Sequence, residues 1–162
     1  MNRPLEHILV ATDFSDASVA AVGYAAKVAR SLGARLHLVH VLEEPFTTSG
    51  PYEWHLPDTT ARREQRYHQA LTRLWQDAEA VGHLVTASAE VRGGSVTREL
   101  AQAAIDYGAH LIVLGTRGHA GLRHLFDGDR AQRLQRITGR PILTVCDQAS
   151  VQPVPARPAT AA

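Results

Sequence analysis

Five short apolar runs punctuate the chain, and between them apolar residues recur at helical spacing. His7-Ile-Leu-Val-Ala-Thr12 is the first run. Val19, Val22, Ala26 and Ala29 follow at intervals of three or four up to Gly33, which predicts a helix. Ser15 or Asp16 is placed to cap its start, and Gly33 to take the left-handed position at its end. Arg35-Leu-His-Leu-Val-His-Val41 is the second run. A polar, Pro-bearing stretch from Glu43 to Asp58 is too long for a tight turn and reads as a lid or an excursion. The helix after it turns Tyr67, Leu71, Leu74, Ala78 and Val81 to one face.

Val85, Ala87, Ala89 and Val91 alternate with polar or small residues, the pattern of a less buried strand near a sheet edge. Val96, Leu100, Ala103, Ala104 and Tyr107 make a third helix, closed by Gly108, and His110 to Leu114 is the fourth strand. Ser31-Leu-Gly33-Ala-Arg-Leu36 and Asp106-Tyr-Gly108-Ala-His-Leu111 repeat one helix-to-strand junction. Ala131, Leu134 and Ile137 share a face of a short last helix, Gly139 ends it, and Pro141-Ile-Leu-Thr-Val145 is the fifth strand. Residues 1–146 read as one domain, and the Pro- and Ala-rich tail 147–162 has no periodicity and reads as disordered.

Strict strand-helix alternation predicts an α/β fold, a single doubly wound domain whose parallel sheet carries helices on both faces. Ligands of such folds sit beyond the carboxyl ends of the strands, where strand order reverses. Two polar strand ends compete for that place: Ala11-Thr12-Asp13 after the first strand, and Gly115 to Gly118 after Leu114 ends the fourth.

Composition narrows the classes of function. With 17 basic and 16 acidic residues the net charge is +1, too small a field to recruit nucleic acid or an anionic membrane. No apolar run approaches the roughly 18–20 residues that span a bilayer, and the start lacks the apolar core of a secretory leader, so a cytoplasmic location is expected. The single Cys146 excludes an internal disulfide and a Cys-rich zinc site, and burial at the end of the last strand is its expected state. The nine histidines show no ligand spacing, and His37 and His40, three apart on a strand, point to opposite faces; no metal is expected. No nucleophile stands in a catalytic motif, which favours binding over turnover.

The strongest chemical signal is Gly115-Thr-Arg-Gly118, nine residues, then Gly128, starting where a strand stops and ending where a helix begins. Glycines let backbone N–H groups approach an anion closely, and the helix adds its unpaired first-turn donors. Arg117 and His119 make the loop locally basic, while Asp127 and Asp129 pull the other way. An Asp at a helix start accepts the same amide hydrogens that a phosphate would use.

Together with Ile8-Leu-Val-Ala-Thr-Asp13-Phe-Ser15, Leu38-Val-His-Val41 and Gly139-Arg-Pro141-Ile-Leu, this loop resembles the universal stress protein family, from about residue 5 to 146. The family's nucleotide binders carry the pattern G-x-x-G-x9-G-[Ser/Thr], and this chain has Asp129 at the hydroxyl position. The resemblance implies a five-stranded parallel sheet of order 3-2-1-4-5, a homodimer formed through the last strand, and ATP or another adenine nucleotide in the crevice, with magnesium as a possible companion. Asp13 would accept from a sugar hydroxyl, Val41 would flank the adenine, and Gly115, Gly118 and Gly128 would let the backbone wrap the phosphates. Two rival readings are a slow magnesium-dependent ATP hydrolase and a dimer that binds an unknown protein partner through the stretch after Glu43.

Overall fold

The computed structural model describes residues 4–43, 60–116 and 128–146, with the side chains of Thr60, Gly128 and Asp129 left aside. The elements are β1 (His7–Ala11), α1 (Asp16–Leu32), β2 (Arg35–Leu42), α2 (Thr60–Gly82), β3 (Ala87–Gly93), α3 (Val96–Asp106), β4 (Leu111–Thr116), α4 (Gly128–Thr138) and β5 (Ile142–Cys146). All four strand pairings are parallel, and the sheet order is β3-β2-β1-β4-β5. The expected fold and strand order are both present. The stretch after Glu43, the loop positions Arg117, Gly118 and His119, and the tail from 147 lie outside the described residues.

Side chains alternate across a strand, so a strand buried on both faces reads as a continuous apolar run. Ile8 and Val10 of β1 join Leu36, Leu38 and Val113 beneath α1 and α2. Leu9 and Ala11 join Val39, Ile112 and Leu114 beneath α3 and α4. The central strands are therefore sealed on both sides, and β3, expected near an edge, is an edge strand whose residues are mostly half-buried.

The repeated junction has one geometry in both copies. Gly33 and Gly108 take φ of 66° and 59°, a left-handed conformation that an L side chain adopts with strain. The next residue then returns to the helix, Ala34 N donating to Ala29 O and Ala109 N to Ala104 O, both at 2.8 Å. Each junction feeds a strand directly alongside β1: Arg35 N donates to Glu6 O and His110 N to His7 O.

Four expectations about side-chain placement are corrected, the first being Tyr67, which is exposed while Leu74, Ala78 and Val81 of the same face are buried. Val19 is 52% exposed, because α1 meets the sheet through Ala21, Ala25, Ala26 and Ala29, and close packing through small residues leaves the valine outside. Ile137 of α4 is 56% exposed, with Leu134 providing the buried contact. Cys146 is exposed as well, since β5 is the other sheet edge and pairs with β4 alone. Its Sγ lies 3.3 Å from Thr116 Oγ1.

Candidate functional site

Between β2 and β4 the chain winds first to one side of β1 and later to the other, so strand order reverses at β1 and β4. Beyond the carboxyl end of β1 lies a crevice lined by Ala11, Thr12, Asp13, Val39, Val41, Val96 and Leu100. Of the expected site residues it gathers Ala11, Thr12, Asp13 and Val41. Val39, Val96 and Leu100 were not expected there. Val39 reads as core, and Val96 and Leu100 read as the inner face of α3; only the fold brings the first turn of that helix over β2.

Thr12 serves the scaffold. It is 4% exposed, its N–H donates to Val39 O at 3.0 Å, and its Oγ1 donates to Ser18 Oγ at 3.0 Å and accepts from Phe14 N at 3.1 Å. Its carbonyl oxygen faces His40 Nδ1 at 2.8 Å. A carbonyl only accepts, so His40 carries its proton on Nδ1. Burial pushes the His40 pKa down, partly countered by this bond and by Asp13, and the ring is neutral.

Asp13 shapes the turn that leads into α1. Its Oδ1 accepts from Ser15 N at 3.0 Å and from Ser15 Oγ, the local turn of an Asx residue. Ser15 then caps α1, its Oγ accepting from Ser18 N. Burial raises the Asp13 carboxyl, but hydrogen bonds from the Ser15 hydroxyl and amide and from Ser18 outweigh it and hold the group below its ordinary value. Asp13 is thus an ionised acceptor at the crevice wall. Both Ser15 bonds fall on Oδ1.

Gly115 has a reason of its own. A Cβ there would stand 2.4 Å from Ala17 O, 2.5 Å from Ala17 C and 2.7 Å from Ser18 N. The absent side chain lets β4 press against the first turn of α1, which brings that helix start beside the end of β4. Leu114 is fully buried on the opposite side of the strand, beneath α3 and α4, and acts as core. Gly128 and Asp129 open α4. Arg117, Gly118 and His119 lie outside the described residues.

At the opposite end of the sheet a larger hollow of about 440 Å³ is lined by Pro4, Glu6, His7, Tyr107, Gly108, His110 and Arg140. It lies at the amino-terminal ends of β1 and β4, away from the switch-point position where ligands of this architecture bind, so Asp13 and its crevice remain the candidate.

The universal stress protein family model matches residues 4–145. Universal stress protein A homolog 1 of Coxiella burnetii is 33% identical over 148 residues, which cover 86% of this chain and 95% of that protein. A solved member of the universal stress protein family from Burkholderia pseudomallei is 28% identical with a TM-score of 0.63, covering 90% of this chain and 98% of that one. The fold is also that of a universal stress protein solved in complex with cAMP, at 20% identity and a TM-score of 0.60, with 89% of this chain and 98% of that one covered. A family match over nearly the whole described chain, joined to the 3-2-1-4-5 sheet and its switch-point crevice, means that the chain belongs to the universal stress protein family.

Proposed function

We propose that the protein is a cytoplasmic, homodimeric regulatory module that binds an adenine nucleoside or nucleotide at the carboxyl end of β1, and that it acts through binding rather than turnover. The observation that carries this reading is the ionised Asp13 carboxylate at the wall of an otherwise apolar switch-point crevice that ends in Val41. An apolar slot with one directed acceptor suits a flat base and a sugar hydroxyl. The adenine ligand of a family neighbour supports the same class. The enclosed part of the crevice is about 10 Å³, room for about one water. The base would therefore rest against half-buried Val41 at the mouth and not be swallowed whole.

Phosphates would meet the start of α4, where Asp129 stands second in the helix. Two unit charges ~4 Å apart repel by roughly 1 kcal/mol in water and about 4 kcal/mol at an effective dielectric of 20. The wild type is expected to favour adenosine and AMP over ATP when magnesium is absent, and magnesium to narrow the gap by bridging carboxylate and phosphates. Asp129→Ser should raise ATP affinity about tenfold, the equivalent of ~1.4 kcal/mol, and lower stability by no more than about 1 kcal/mol, since a carboxylate in the first turn of a helix favours its dipole. Calorimetric titration of both proteins with adenosine, AMP, ADP and ATP, with and without the metal, tests this. Tight ATP binding by the wild type without metal, unimproved by serine, would sink the electrostatic argument.

The dimer reading rests on β5, an edge strand carrying Ile142, Leu143 and Val145 and no charged residue before its end. Such an edge invites pairing with a second copy. Sedimentation at micromolar concentration should show a dimer, and a monomer there would count against it. No described helix is long and apolar enough to cross a membrane.

A further inference from the structure

Phe14 stands at φ 64° and, among the described residues, is the one non-glycine residue in the left-handed region. That conformation costs energy for an aromatic residue and persists where neighbours over-determine it. Here the neighbours come from two other elements. The His40 ring of β2 lies 4.4 Å from the Phe14 ring, centroid to centroid. The Arg73 guanidinium of α2 sits 5.1 Å from the centroid of the same ring, and Nη2 donates to Phe14 O at 3.3 Å.

Asp13 lies between two residues held in this way. On one side His40 donates to Thr12 O; on the other Phe14 is held by its N–H on Thr12 Oγ1, by its carbonyl on Arg73 and by its ring. The peptide joining residues 13 and 14 has little freedom left, and its orientation sets where the Asp13 carboxylate points. If Arg73 let go, the backbone at Phe14 would be free to relax to negative φ and carry Asp13 with it.

We propose that Arg73 and His40 are positioning residues for Asp13, clamping Phe14 in its left-handed conformation so that the carboxylate is aimed at the hydroxyls of a bound sugar. Helix α2 thereby sets how well the crevice tells a ribose from a sugar without hydroxyls. The inference rests on the adenine-nucleoside reading above. It makes a demand that packing alone does not, because Arg73 is exposed and its loss should hardly disturb the core.

The test is the full chain with Arg73→Gln, titrated calorimetrically with adenosine and with 2′,3′-dideoxyadenosine. In the wild type the hydrogen bond to an ionised acceptor should favour adenosine roughly tenfold. In the variant that preference should shrink towards unity through weaker adenosine binding, with dideoxyadenosine affinity unchanged. An undiminished preference in the variant, or equal loss of both ligands, would overturn the proposal. A wild type that binds neither nucleoside would refute the nucleoside reading, and the clamp is then judged without ligand. The Asp13 carboxyl-carbon and β-proton resonances report the carboxylate directly, whereas the Ser15 amide shares its peptide with the Phe14 carbonyl that Arg73 holds. The Asp13 resonances should move on Arg73→Gln, and resonances that stay in place would show that Arg73 does not position Asp13.

Discussion

Gly115→Ala is expected to destabilise the protein by about 3 kcal/mol, at the upper end of what overpacking costs. The added Cβ would meet the Ala17 carbonyl and the Ser18 amide of α1 at 2.4–2.7 Å, and these are backbone atoms that no rotamer change can move. Either β4 or the first turn of α1 must shift. That turn holds Ser18, whose hydroxyl accepts from Thr12 and donates to Ser15 O, so a shift there also disturbs the turn that carries Asp13. Thermal unfolding should show a midpoint lower by roughly 6–12 °C for a chain of this size. Gly23→Ala supplies the control on the same helix. A Cβ at Gly23 meets nothing within 4 Å, and alanine there should be neutral or stabilising by about 0.5–1 kcal/mol. If the two variants melt together, Gly115 serves flexibility and not close approach.

The second large effect is an acid-dependent loss of stability centred on His37. The residue is 8% exposed, with Nε2 3.0 Å from His7 Nδ1 and Nδ1 2.7 Å from Ser88 Oγ. The centroids of the His7 and His37 rings are 5.2 Å apart, too far for face contact, so the rings meet edge to edge with room for one proton between their facing nitrogens. Tyr107 stacks on His37 at 4.1 Å while its hydroxyl donates to Glu90, and His110 flanks His7 from β4's end of the sheet. Burial, then the charges of His7 and Arg35, push the His37 pKa down to about 4. An unfolded histidine titrates near 6.5. Between those values the unfolded chain takes up a proton that the folded chain refuses. The contribution is therefore fully present above about pH 6.5, is lost as pH falls towards about 4, and then levels. Between pH 7 and pH 5 the loss should be about 2 kcal/mol. Lowered His40 adds in the same direction, so the measurement is the difference between wild type and His37→Gln in urea unfolding at both pH values. The glutamine variant should lose about 2 kcal/mol less across the interval; an equal loss would place the proton uptake elsewhere.

The order of strands and helices was legible because strands sealed on both faces and helices with one buried stripe leave different periods in the sequence. The Gly-Ala junctions were legible for a local reason, since a left-handed residue after a helix favours glycine. Helix orientation was less so. Periodicity weights large residues, yet α1 packs through Ala21, Ala25 and Ala29 and turns Val19 outward. The crevice was half legible: the polar strand end at Thr12 and Asp13 marks it, whereas Val96 and Leu100 reach it only through the placement of α3 over β2. His40 lies within the Leu38-Val-His-Val41 run but had no role of its own there, and Arg73 carries no motif at all. They converge on Phe14 from β2 and α2, and nothing in local sequence announces a contact between residues 14 and 73. Gly115 was assigned to a ligand on its spacing, and the close approach of α1 supplies a packing reason for the same residue.

Adenosine titrated into the full-length chain, followed by backbone amide resonances, tests the proposed site most directly. The account predicts saturable shifts confined to the carboxyl end of the sheet, at Asp13, Val41 and Val96, with His7, Tyr107 and His110 unmoved. Absence of any saturable shift at Asp13 and Val41, or saturation at His7, Tyr107 and His110 in the larger hollow instead, would contradict it.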